Sequence, residues 1–150
     1  VIVYLDSSVL ARAYLADEDG HEEAQALLSD PEIATVTGTW TRIDVSGALV
    51  RAARTRRGRG RADADELLTL LDADLSPEGA VTMLTVAHER AEERALKLVR
   101  EHALRALDAW HLAVADLTVP ALAEKGEEIG FASRDGAQAA VAERLGFRRI

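Results

Sequence analysis

The chain has 150 residues, 48% of them apolar, and its 18 Lys and Arg against 26 Asp and Glu leave a formal charge of −8 with the four His neutral; a single acidic, soluble domain over 1–150 is expected, since such a chain buries about 70% of its unfolded surface. The absence of Cys excludes disulfide scaffolds, thiolate metal sites and cysteine nucleophiles, so any metal must be held by oxygen or His. Apolar runs such as Ile2 to Leu5 stop far short of the roughly 20 residues of a membrane span and no secretory leader pattern opens the chain, so a cytoplasmic protein without membrane contact is expected.

Val1 to Leu5 is a short β-rich run without alternation, the pattern of a strand buried on both faces. It ends at Asp6. Residues 8–14 and 21–28 read as helices, with Asp30-Pro31 as the stop, and 33–37 as a second strand. From Asp44 to about Thr55, Val45, Ala48, Leu49 and Ala52 fall at helical spacing; a Gly-Arg-Gly break at 58–60 separates this helix from one over 62–71. The result is an αα-hairpin with an Arg-rich tip. Between Arg51 and Arg61 lie six Arg and no acid, so elsewhere 12 basic groups face 26 acids, a net −14. A charge run is usually a solvated face, yet on a chain otherwise hostile to polyanions this one is a candidate anchor for phosphates. A third strand follows at 81–85, helices at 87–102, 107–116 and 121–125, a fourth strand at 129–132, a helix at 136–145 and a last strand at 147–150. Strict alternation argues for an α/β fold, a parallel sheet with helices on both faces.

In such a sheet ligands sit beyond the carboxyl ends of the strands. Asp6 follows the first strand directly, and Asp135 follows the fourth in Ser133-Arg134-Asp135. Two further acids open apolar helices, Asp44 before Val45-Ser-Gly-Ala-Leu and Asp108 before Ala109-Trp-His-Leu-Ala. Each has a plain structural reading: a carboxylate at a helix N-terminus is stabilised by about 0.3–1 kcal/mol, and Asp is a favoured cap. Four together differ, because like charges in partial burial raise one another's pKa unless a cation neutralises them. Oxygen-only clusters of that kind suit Mg2+ or Mn2+. Asp116, two helical turns past Asp108, is a weaker outer member of the same set.

Taken in order, Val3-Tyr-Leu-Asp6-Ser-Ser-Val-Leu, Thr41-Arg-Ile-Asp44-Val-Ser-Gly-Ala-Leu, Leu104-Arg-Ala-Leu-Asp108-Ala-Trp-His-Leu-Ala113 and Phe131-Ala-Ser-Arg-Asp135, leading to Leu145-Gly-Phe, resemble the PIN domain and, within it, the VapC-like toxins of bacterial toxin–antitoxin pairs. The resemblance spans nearly the whole chain. It implies a PIN-like three-layer α/β/α fold and a metal-dependent endoribonuclease whose first, third and fourth acids match Asp6, Asp108 and Asp135. Ser8 matches the hydroxyl residue two places after the first acid, and Ser133 stands where the family commonly has Thr or Ser. The second motif departs: the family usually has Glu, and this chain has Asp44, one methylene shorter. The resemblance also implies a VapB-like antitoxin that covers the acidic pocket, and a homodimer.

The expected reaction is hydrolysis of an RNA phosphodiester, with Asp6 and Asp108 nearest the Mg2+ or Mn2+, Asp135 and Asp44 completing the acidic ring, and Arg51, Arg54 and Arg57 holding the phosphate backbone alongside contacts from Ser8 and Ser133. The competing reading is a catalytically weak or inactive PIN domain that binds a partner, kept alive by Asp44. A receiver-like domain would need Lys where Ser133-Arg134-Asp135 stands, and an aspartate-nucleophile phosphatase would need Asp where Ser8 stands. His111, one turn past Asp108, is expected to pack rather than act as a base. With only six aromatic residues, Trp40 and Trp110 are expected in the core or at an interface rather than stacked on bases.

Overall fold

The computed structural model describes residues 1–55 and 60–150. Five strands, β1 (Ile2–Leu5), β2 (Ala34–Gly38), β3 (Val81–Leu84), β4 (Ile129–Ala132) and β5 (Arg148–Arg149), form one sheet in the order β3-β2-β1-β4-β5, every pair parallel. Central β1 pairs Ile2 with Ala34 on one side and with Ile129 on the other. Its unbroken apolar run follows from that place, since both of its faces are covered.

Alternate residues of β1 point into different cores. Ile2 and Tyr4 join Val36, Phe131 and Phe147 beneath helices α5 (His88–His102), α6 (Ala106–Leu122) and α7 (Gly136–Arg144), which contribute Leu98, Leu112 and Val141. Val3 and Leu5 meet the opposite layer, made of α1 (Ser7–Arg12), α2 (His21–Ser29), α3 (Thr39–Thr55) and α4 (Gly60–Asp74), through Leu10, Ala24, Val45, Leu49 and Leu71. Leu49 and Leu71 are wholly buried, each worth about 1.5–3 kcal/mol. The expected three-layer α/β/α architecture is therefore present. Among the described residues no helix is long and apolar enough to cross a membrane.

Strand order reverses between β1 and β4, which opens the ligand crevice of this topology at their carboxyl ends. Asp6 leaves β1 there, and the segment Ser133 to Asp135 leaves β4 beside it.

Several elements differ from the sequence reading, α4 among them, which runs over Gly60–Asp74 rather than 62–71. Helix α3 starts at Thr39, directly after β2, so Asp44 sits in its second turn rather than at its start. Helix α6 runs unbroken through Pro120 to Leu122 instead of stopping at 116 and restarting at 121. Pro120 falls in the last turn, where its missing N–H deprives only one carbonyl of a partner. The last strand narrows to Arg148–Arg149, paired with Gly130 and Phe131. Arg56, Arg57 and Arg59 of the expected basic tip lie outside the described residues.

Candidate active site

Asp6 and Asp135 both cap helices, as their positions after strands suggested. Asp6 precedes α1: its Oδ1 accepts from the Val9 amide at 3.0 Å and the Ser8 hydroxyl at 2.7 Å, and its Oδ2 is 2.8 Å from Ser133 Oγ. Asp135 precedes α7 and accepts the Ala137 and Gln138 amides, at 2.8 and 2.9 Å, on one oxygen, Oδ1. Capping fixes the direction of each carboxylate at the crevice, so here the structural role is also an orienting one. Ser8 and Ser133 are both turned onto Asp6. Ser8 Oγ also accepts the Arg134 amide at 3.1 Å, which ties α1 to the loop after β4.

Asp108 lies in the first turn of α6, half-buried. Its carboxyl is pushed above the usual range, first by desolvation, then by the charges of Asp135 and Asp6 and to a lesser degree Asp44; only Arg105 opposes this. The four acids singled out from the sequence thus share one electrostatic neighbourhood at the carboxyl edge of the sheet. Asp44, in the second turn of α3 and half-buried, is past the reach of the helix N-terminus, which fades within one turn. Neither Asp44 nor Asp108 accepts a hydrogen bond on its carboxylate among the described residues. No three His, Asp or Glu among those residues are drawn into a ready coordination set. Oxygen-only donors, two of them without hydrogen-bond partners and held in mutual repulsion, nevertheless fit a hard divalent cation in chemistry.

Behind the acids lies a polar layer that the sequence reading largely missed. His111 is buried between the Tyr4 hydroxyl, 3.1 Å from Nδ1, and Ser7 Oγ, 3.0 Å from Nε2. A neutral ring, one nitrogen donating and the other accepting, satisfies both bonds. Desolvation lowers its pKa although Asp6 and Asp44 pull the other way, so it packs as expected. Gln138, wholly buried, places Oε1 2.6 Å from Ser133 Oγ and donates from Nε2 to the Asp108 carbonyl at 3.1 Å. The spacing Asp135-x-x-Gln138 reads as a capping box, in which the glutamine would only return to the Asp135 amide. Here, however, the Asp135 amide donates to Ser133 Oγ at 3.0 Å, which leaves the Gln138 side chain to turn inward. Arg105, exposed beside Asp108, carried no sequence signal beyond its charge.

Other candidates fall elsewhere. Asp116 is bound to Arg94 at 2.7 Å, which accounts for its charge without the acidic edge. Trp40, expected in the core or at an interface, is 46% exposed and leans on Trp110, ring centres 5.7 Å apart. Arg51 and Arg54 are exposed on α3, while Arg57 lies outside the described residues. A cavity of about 710 Å³ between α1, α2 and β4 includes Ser133, Arg12, Arg134 and Arg149 but none of the four acids.

The PIN-domain family model matches residues 3–144. No curated protein matches the sequence. Among solved structures, a chain of VapBC-1 from nontypeable Haemophilus influenzae superimposes with a TM-score of 0.57 at 11% identity, over 100% of this chain and 97% of that one. That likeness is one of fold. With the family model covering all but the two ends, and with Asp6, Asp108 and Asp135 at the carboxyl edge of its parallel sheet, this chain belongs to the PIN domain family.

Proposed function

We propose that this protein is a metal-dependent endoribonuclease and the toxin of a toxin–antitoxin pair. The observation that carries the reading is Asp108, half-buried where three other acids converge from the ends of β4 and β1 and from α3, its carboxyl pushed up first by burial and then by their charges. Such repulsion destabilises the native fold unless a cation is meant to relieve it.

Asp6 and Asp108 would hold Mg2+ or Mn2+ directly, with Asp135 and Asp44 completing the ring. When bound, the ion supplies Lewis-acid polarisation of the scissile phosphate and a water of lowered pKa. Ser8 holds the Asp6 carboxylate in register, with Ser133 Oγ beside its other oxygen. The Oδ2 of Asp135, left over from capping, would orient a water or an ion. Arg105 offers a cation next to Asp108 for a phosphate oxygen, and Arg51 and Arg54 extend that attraction along α3. Arg57 would continue it. Because the rest of the chain is acidic, these contacts are what would keep RNA on the surface.

The likeness to a VapBC-1 chain supports a VapB-like antitoxin as partner, a protein that would bring a basic group to the acidic edge. A homodimer would cover Trp40 and Ile43, which are 46% and 69% exposed. The inactive, partner-binding reading keeps one support: Asp44 is one methylene shorter than the Glu usual at this place in the family. Metal-dependent cleavage by the wild-type chain separates the two readings, since a nuclease cuts RNA in Mg2+ or Mn2+ and a partner-binding domain does not.

A further inference from the structure

Ser133 Oγ has one proton and two acceptors within reach, Asp6 Oδ2 at 2.8 Å and Gln138 Oε1 at 2.6 Å. Its lone pairs meanwhile receive the Asp135 amide. Gln138 cannot turn its amide over without setting Oε1 against the Asp108 carbonyl, because Nε2 now donates there at 3.1 Å. The side chain is wholly buried, so no solvent competes for it. One amide therefore joins the hydroxyl that touches the first acid to the backbone of the third, across β4, α6 and α7.

Resting on the metal-binding reading above, the geometry points to Gln138 as a positioning residue for the cation site, acting in two ways. By accepting the hydrogen bond of the Ser133 hydroxyl it leaves Asp6 Oδ2 free for a cation, and by donating to the Asp108 carbonyl it ties the first turn of α6, which carries Asp108, to the first turn of α7. Partners of this kind, one step removed from the metal, typically change affinity by 10- to 100-fold when lost. A residue that merely filled space would alter stability and leave affinity alone.

The test is calorimetric titration of Mn2+, without RNA, into wild-type protein, Gln138→Met, Ser133→Ala and the double variant, with the Tm of each measured in parallel. Gln138→Met keeps length and helix preference while removing both hydrogen bonds. Gln138→Asn is the second variant, too short to bridge Ser133 and the Asp108 carbonyl. Both should bind Mn2+ about tenfold more weakly while still melting cooperatively, and the Gln138→Met loss should be smaller in the Ser133→Ala background, where no hydroxyl competes for Asp6 Oδ2. Wild-type affinity in either folded Gln138 variant overturns the inference, as does a Gln138→Met loss that is the same with and without Ser133. A wild-type protein that binds no Mn2+ overturns the metal reading itself, and this inference with it.

Discussion

Asp44 enters the acidic edge one methylene shorter than the Glu usual at this place in the family, and that difference has a measurable consequence. Asp44→Glu should raise metal-dependent RNA cleavage severalfold, read as initial rates at equal Mn2+; an unchanged rate would mean that reach at this position does not limit the reaction. Asp108→Asn should do two opposite things. Removing a ligand should lower cleavage by at least the ~100-fold seen at the upper end for outer metal partners. Removing a carboxylate whose ionised form is disfavoured by burial, Asp135 and Asp6 should raise the Tm of the metal-free protein at neutral pH, and added Mg2+ should no longer stabilise it. His111 governs a separate pH effect. Its pKa lies below the ordinary 6.5 in the native state, so under acid the unfolded chain binds a proton that the native ring refuses. Its contribution to stability is full above 6.5 and declines as pH falls below it; urea melts of wild type between pH 7.5 and 5 should show this, and His111→Phe should show a flatter profile from a lower start. The acids were legible from sequence because each follows a strand or starts an apolar helical run. Gln138 was not, because a glutamine at the third position of a helix normally reads as part of a cap.

Helix α3 carries Asp44 into place because no loop intervenes between it and β2. Gly38 sits at that junction: its amide donates to the Tyr4 hydroxyl at 3.1 Å, and a Cβ there would lie 2.9 Å from the same oxygen and 3.2 Å from the buried Val114. Gly38→Ala should therefore destabilise the protein by about 1–3 kcal/mol, the usual range for overpacking, and disturb the start of α3, read by denaturant melts and by weakened Mn2+ affinity. The sequence reading put the helix start at Asp44 because an acid before an apolar periodic run resembles a first turn. Thr39 to Ile43 lack that signal, yet Thr41 is wholly buried and bonded to Thr37 at 2.7 Å, a tertiary contact that draws the helix back to the strand end. Pro120 misled in the other direction, as a breaker that proved to sit in the last turn of α6. Alternation of strand and helix, by contrast, was plain, since buried parallel strands leave short apolar runs between longer amphipathic ones.

The molecule as a whole is acidic, with its Arg concentrated between 51 and 61. Exchange of Arg51 and Arg54 for Gln should weaken RNA binding and reduce the slope of log affinity against log salt by up to ~0.7 for each phosphate of a single strand that is no longer neutralised; an unchanged slope would remove α3 from the RNA path. The parallel topology followed from pattern, but strand order did not, since nothing local to β4 says that it lies beside β1 rather than β3. That order is what joins Asp6 to Ser133 and Asp135, so the site became complete only in three dimensions. The central claim is that these acids cut RNA through a bound divalent ion. Its most direct test is incubation of total bacterial RNA with the purified, antitoxin-free protein in Mg2+, Mn2+ or EDTA, beside Asp108→Asn, with new RNA ends mapped by sequencing. Discrete cuts that require metal and vanish in the variant are the predicted result; intact RNA in both metals, or cuts that persist in EDTA or in the variant, would contradict it.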